Sequence, residues 1–81
     1  MIYLDGRMLT CTEEGHNYIQ HMLGFPDYYG KNLDALYDLL TEISMNVEIS
    51  ISYSNEMDKM IKKVFLNASN ENECVNIILT K

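Results

Sequence analysis

The 81-residue sequence has few basic side chains, two cysteines, one proline and no tryptophan. The sequence contains six lysines and arginines but twelve aspartates and glutamates. The resulting net charge of −6 repels nucleic-acid phosphates and anionic lipids. No run approaches the ~20 apolar residues that span a bilayer, and the first ten residues lack the basic start and apolar run of a signal peptide. We therefore expect a cytoplasmic protein that binds neither nucleic acid nor membranes and that suits a cationic partner.

The cysteines and histidines do not form a recognisable reactive site. Cys11 and Cys74 lack the spacing of a metal site, and in a reducing compartment we expect both to be free thiols. His16 and His21 lie five residues apart in the first predicted helix and so face different directions. We predict no metal, no cofactor and no enzymatic activity. A small hydrolase that uses one of these histidines with a carboxylate is the least supported alternative.

Apolar patterns predict three strands and about three helices in a single domain that spans residues 1–81. The predicted strands cover residues 1–4, 47–53 and 75–79, and we expect the first at the centre of the sheet. The first helix has a possible capping box at Thr10 and Glu13 and ends at Gly24. The third helix is predicted to start from a cap at Ser54 or Asn55.

Strands that alternate with helices predict a small, three-layer-like α/β domain with a three-stranded parallel sheet. The apolar stripes of the second and third helices are expected to form its core. Six residues of these stripes are predicted to be buried: Leu33, Leu36, Leu40, Ile61, Val64 and Phe65.

The segment from Phe25 to Lys31 predicts an ordered turn. Pro26 fixes its own φ, and Gly30 is free to adopt backbone shapes closed to other residues. We expect Tyr28 and Tyr29 to be displayed on this turn.

The turn leads into an acidic, amphipathic helix. Asn32 is a good N-cap, and Asp34 then lies in the first turn, where the helix dipole favours a carboxylate. Asp34 and Asp38 are four residues apart, and this like-charge pair costs an isolated helix about 0.2–0.5 kcal/mol. An acidic stripe is often only a solvated helix face, but Tyr37 on the same side, beside the turn tyrosines, favours a binding patch.

The run P-D-Y-Y-G-K-N-L-D-A-L-Y-D-L-L-T, residues 26–41, resembles the signature of the barstar family. Members of this family are intracellular protein inhibitors of secreted bacterial ribonucleases of the barnase type. The likeness is gap-free over this run and looser over nearly the whole chain, including Asp5-Gly6, His16, Val64-Phe65 and the terminal strand.

The resemblance implies inhibition by plugging, in which the second helix and the turn before it enter the ribonuclease active site. It assigns the central role to Asp38 and implies that the partner is a basic, barnase-like ribonuclease. We expect the chain to be a monomer or a weak homodimer. The predicted partner-binding residues are Tyr28, Tyr29, Gly30, Asn32, Leu33, Asp34, Tyr37, Asp38, Thr41 and Glu42.

This sequence departs from the family pattern at four positions. Tyr37 and Ile43 replace tryptophans, Glu42 replaces a glycine, and Asn67 replaces an acidic residue. The segment between the second strand and the later helix is also shorter, which implies that one of the family's helices is reduced or missing. The alternative to ribonuclease inhibition is therefore a barstar-like interaction module that self-associates or binds another basic partner.

Overall fold

Three short segments of alternating or continuous apolar residues form strands β1 (Ile2–Asp5), β2 (Val47–Ser52) and β3 (Val75–Leu79). In the computed structural model, which describes all 81 residues, they make one parallel sheet in the order β1-β2-β3. The predicted parallel sheet is confirmed, and β3 has its predicted bounds. The central position expected for the first strand is wrong, because β2 pairs on both sides and buries Ile49 and Ile51 completely.

The helices are α1 (Glu13–Leu23), α2 (Leu33–Thr41) and α3 (Lys59–Glu71), and two three-residue 3-10 helices span Gly6–Met8 and Ser54–Glu56. The longest helix, α3, has 13 residues. None of the helices has the length and apolar character that a membrane crossing requires.

The first helix begins at a different cap from the predicted one. Thr12 is the N-cap, and its hydroxyl accepts a hydrogen bond from the Gly15 amide at 3.1 Å. The predicted cap, Thr10, is instead hydrogen-bonded through its hydroxyl to that of Thr12 at 2.8 Å. The helix ends as predicted at Gly24, which has a left-handed φ of 68°.

The third helix begins later than predicted. Ser54 lies in a 3-10 helix rather than at the cap, because Tyr53 takes a left-handed φ of 50° and turns the chain at the end of β2. Asp58 caps α3 instead, and its Oδ1 accepts from the amides of Met60 at 2.8 Å and Ile61 at 3.2 Å. A single 3-10 helix therefore occupies the short connection between β2 and α3.

The core lies between the sheet and the helices. Four of the six predicted core residues are fully buried: Leu36, Leu40, Ile61 and Phe65. Leu33 and Val64 are only half-buried and pack at the edge of this cluster, so the prediction that they are buried is wrong. Both lie along the groove between α2 and α3, where the helices leave part of their surface open to solvent. One face of α2 therefore packs in the core, and the opposite face is exposed to solvent.

Candidate protein-binding site

The turn before α2 is tied to the end of α1. The Pro26 carbonyl accepts hydrogen bonds from the Tyr29 amide at 3.0 Å and from Gln20 Nε2 at 2.9 Å. The Phe25 amide donates to the Gln20 carbonyl at 3.0 Å, and the rings of Phe25 and Tyr29 are 5.2 Å apart. The predicted ordered turn is therefore present.

The two adjacent tyrosines of the turn have opposite environments. Tyr28 is 79% exposed, as predicted, but Tyr29 is only 4% exposed. The Tyr29 hydroxyl lies 2.7 Å from Nδ1 of His16, itself 3% exposed, so the display expected for Tyr29 is wrong. Burial of a tyrosine requires a polar partner for its hydroxyl, and His16 on α1 supplies one. The position of His16 next to the apolar residues of α1 is the sequence signal that could have revealed the pair.

Burial also changes how this pair titrates. Desolvation lowers the pKa of His16, because the charged imidazolium is disfavoured away from water. Desolvation, with a smaller contribution from the Cys11 thiol, raises the pKa of Tyr29 to about 12. Both side chains are therefore neutral near pH 7 and act as a hydrogen-bonded support beneath the turn.

Gly30 serves the turn through its small size. The left-handed conformation falls on Lys31, with φ 53°, and not on Gly30. A Cβ at position 30 would lie 3.2 Å from Asn32 Nδ2 and 3.3 Å from Ala35 Cβ. The expectation of a special Gly30 backbone shape is therefore wrong, and the close approach of the cap and first turn of α2 explains the glycine.

Asn32 caps α2 as predicted. Its Oδ1 accepts from the Ala35 amide at 2.8 Å, and its Nδ2 donates to the Gly30 carbonyl at 3.2 Å. Because one side chain joins the helix to the turn, the two parts are held in one arrangement. Asp34 lies in the first turn of the capped helix.

The acidic side chains of α2 have no partner within the chain. Asp34, Asp38 and Glu42 are exposed, and their carboxylates make no hydrogen bond and no ion pair. The ion pair of the molecule joins Arg7 to Asp5 at 2.8 Å, after β1. The Thr41 hydroxyl donates to the Asp38 carbonyl at 2.9 Å and so faces its own helix. This face can therefore accept hydrogen bonds and positive charge from outside.

Surface hollows flank this acidic face. Asp34 borders a hollow of about 560 Å³ toward the start of α1 and a groove of about 550 Å³ toward α3. Asp38 borders the same groove and a smaller hollow of about 180 Å³ that Tyr28 and Glu42 also line. The acidic face is thus a ridge between depressions, a shape that fits into a cleft.

Known proteins are similar to this chain over the region that carries the acidic face. The model of the family described as "Barstar (barnase inhibitor)" matches residues 1–69. The chain belongs to the barstar family. The matched region includes α1, the turn, α2 and most of α3.

One curated relative of this barstar-family chain is YrdF of Bacillus subtilis (strain 168), named as a candidate ribonuclease inhibitor. The two sequences are 52% identical over 40 residues, which cover 49% of this chain and 44% of YrdF. The match thus spans less than half the length of that relative.

Two predicted partner-binding residues of this barstar-family chain lie at the edge of the acidic ridge. Leu33 and Tyr37 are half-buried and line the groove between α2 and α3, together with Asp34 and Asp38. On the other wall of the groove α3 contributes Met60, Lys63, Val64 and Asn67. Asn67 is a departure from the family pattern and Val64 a predicted core residue, whereas Met60 and Lys63 are groove residues that sequence reasoning missed. The spacing of Met60, Lys63 and Asn67 along α3 is the signal that could have joined them into one helical face.

The remaining departures from the barstar pattern lie around the same helix. Ile43 is half-buried and packs against the core, so it offers little surface for self-association. Glu42 is exposed just after α2. Neither histidine is hydrogen-bonded to a carboxylate, and no cluster of three metal-ligating side chains is present.

Proposed function

We propose that this chain inhibits a basic, barnase-type ribonuclease by inserting α2 and the turn before it into the nuclease active site. The proposal rests most directly on the carboxylates of Asp34 and Asp38, which are exposed on a capped helix and have no partner within the chain. Membership of the barstar family supports the same conclusion.

A ribonuclease active site supplies the complementary charge. It must stabilise a negatively charged phosphorane-like transition state, and arginine, lysine and histidine are suited to that task. Two carboxylates held on a rigid helix reproduce the charge of the substrate phosphates without any reaction of their own. Binding to cations also removes the repulsion that Asp34 and Asp38 exert on each other in the free protein.

The predicted residues have distinct roles in this proposal. Asp38 binds at the centre of the nuclease site, and Asp34 adds the second carboxylate one turn away. Tyr28 covers one side of the cleft, while Tyr29 supports the turn from beneath. Around this centre contacts come from Asn32, Leu33, Tyr37, Thr41, Glu42 and the backbone of Gly30. The chain would act in the cytoplasm of the producing cell as the immunity partner of a secreted ribonuclease.

The test begins with the purified chain as bait for secreted bacterial ribonucleases, followed by titration of the captured ribonuclease with the chain. We expect inhibition at one-to-one stoichiometry that a short RNA or mononucleotide relieves by competition. Glu48→Gln, which removes one charge from an exposed position on β2, is the matched control and should inhibit like the wild type. Capture without loss of activity, or inhibition that nucleotide does not relieve, would contradict active-site plugging.

A further inference from the structure

The C-terminal end of α2 lacks the features that usually terminate a helix. Its C-cap, Glu42, has an ordinary right-handed conformation with φ −86°, and its last turn contains no basic residue. By contrast, α1 ends at the left-handed Gly24 and carries His21 in its last turn. The last carbonyls of a helix need donors from elsewhere, and acidic side chains near them are unfavourable to the helix dipole. The backbone amides of Glu42 and Ile43 reach the Asp38, Leu39 and Leu40 carbonyls, the last at a long 3.5 Å, and no backbone amide reaches the Thr41 carbonyl. A donor from another part of the molecule completes the end of α2.

Asn72, at the end of α3, supplies this donor. Its Nδ2 lies 3.0 Å from the Leu40 carbonyl oxygen, 3.2 Å from that of Thr41 and 2.8 Å from that of Ile43. Its Oδ1 accepts a hydrogen bond from the Cys74 amide at 3.0 Å. One side-chain amide therefore joins the end of α2 to the start of the connection into β3.

The Asn72 backbone is also fixed. It is the C-cap of α3, where its amide donates to the Ala68 carbonyl at 2.8 Å and its carbonyl accepts from the Val75 amide at 3.0 Å. Three side chains form hydrogen bonds with the backbone of α2, and they belong to Asn32, Thr41 and Asn72. Asn32 is the N-cap and Thr41 lies in the helix itself, so Asn72 is the one that comes from another element. The Asn72 side chain therefore extends from a backbone that is itself hydrogen-bonded, and it anchors the C-terminal end of α2.

We infer that Asn72 is a positioning residue for the acidic face of α2. It fixes the last turn, which carries Asp38, Thr41 and Glu42, without contacting the partner itself. The consequence for partner binding rests on the proposed function, whereas the anchoring of the helix end does not. A side chain held in its bound geometry before association loses less entropy on binding, so loss of the anchor should mainly speed dissociation.

The test compares Asn72→Asp with Asn70→Asp. Asp at position 72 keeps the size of the side chain and its acceptor for the Cys74 amide, but it loses the donor and brings negative charge to three carbonyls. Asn70 is exposed, lies in the same helix and makes no side-chain hydrogen bond, so Asn70→Asp matches the change in net charge. Asn72→Ala, which removes the donor without adding charge, replaces Asn72→Asp if that variant does not fold.

Amide hydrogen exchange measures the anchor directly. In the Asn72 variants we expect exchange of the Leu40 to Ile43 amides to rise about tenfold or more relative to amides of α1, with no selective change in Asn70→Asp. At a temperature where circular dichroism shows every variant folded, dissociation from the ribonuclease should quicken about tenfold with little change in association rate. Unchanged exchange at the end of α2 would overturn the inference.

The exchange and binding measurements separate the two proposals. If the wild type binds no ribonuclease, the proposed function fails, and exchange alone decides whether Asn72 anchors the helix. If the wild type binds and the folded Asn72 variants dissociate at the wild-type rate, Asn72 has a purely structural role and the inference is wrong.

Discussion

The two faces of α2 differ in what they contribute to the molecule. Leu36 and Leu40 on one face are fully buried in the core. Asp34 and Asp38 on the other are exposed, unpaired and four residues apart. The buried face, the Asn32 cap and the Asn72 side chain hold the helix, whereas the repulsion between the two aspartates opposes folding. If the exposed face binds a partner, as we propose, changes to each face should have separable effects.

The largest effect on stability is expected in the core against which the buried face of α2 packs. Phe65 of α3 is fully buried in the same core as Leu36 and Leu40. Phe65→Ala should lower the free energy of unfolding by about 3–5 kcal/mol, through lost apolar burial and the cavity left behind. Urea denaturation measures this change. Leu66→Ala, at the neighbouring exposed position, is the control and should cost much less. Equal costs for the two variants would contradict the assigned core.

Asp38→Ala tests the exposed side. The free protein should be no less stable, because the substitution removes a like charge one turn from Asp34. Binding to the ribonuclease should weaken strongly, since truncation of one partner in a desolvated charge pair costs about 2–5 kcal/mol or more. The thermal midpoint and the dissociation constant should be measured on the same samples.

Glu48→Ala is the matched control for Asp38→Ala, because it removes an equal charge from an exposed position on β2, outside both α2 and the turn before it. It should leave the dissociation constant within a few-fold of the wild type. Unchanged binding by Asp38→Ala would move the site elsewhere, and an unfolded variant would mean that this residue supports the fold.

Tyr29→Phe tests the support beneath the turn. The substitution keeps the ring that packs on Phe25 but leaves Nδ1 of the buried His16 without its partner. An unsatisfied buried polar group costs about 1–3 kcal/mol, so the free energy of unfolding should fall by that amount. Tyr28→Phe is the control, because the exposed Tyr28 makes no hydrogen bond through its hydroxyl. If both variants are equally stable, the His16–Tyr29 hydrogen bond contributes nothing.

The same pair predicts how stability depends on pH. Because burial lowers the pKa of His16 below its ordinary value of 6.5, the folded state resists protonation and the unfolded state binds the proton first. Stability should therefore be complete above pH 6.5 and decrease as the pH falls through the lowered pKa. The raised pKa of Tyr29 has the opposite sense, with stability lost as the pH rises from about 10 toward 12. Urea titrations of wild type and His16→Gln across this range measure the His16 contribution as their difference.

The sequence predicted the parts of the fold whose local pattern agrees with their tertiary surroundings. Asn32 caps α2 as predicted because its side chain needs only the amides of the next turn. The bounds of β3 were also correct, since the strand is rich in β-branched residues and packs against the core through Val75, Ile77 and Leu79. The errors occur where distant residues decide. Tyr29 is buried because the turn is held against α1, where His16, thirteen positions earlier, is the partner of its hydroxyl. The strand β1 lies at an edge because β2 pairs with both other strands. The residues around Tyr29 and around the first strand do not by themselves show these contacts, and for Tyr29 the signal lies at His16 on α1.

The smallest expected effect concerns the edge of the acidic face. Glu42 is exposed at the C-terminal end of α2 and lines the small hollow with Tyr28 and Asp38. A rim charge attracts a cationic partner during approach but contributes little once the complex has formed. Glu42→Gln should therefore slow association by a factor of about two to five at low salt and leave dissociation nearly unchanged.

Glu71→Gln separates this steering from the effect of the helix dipole. Glu71 is the last residue of α3, so both substitutions remove one negative charge from a helix C-terminus, and both should slightly stabilise the free protein. Only Glu42 borders the predicted contact surface, so only Glu42→Gln should slow association. Stopped-flow measurements at increasing salt provide the decisive comparison, because screening should bring the two association rates together. Equal association rates at low salt would mean that the net charge of the molecule, and not the acidic face of α2, attracts the partner.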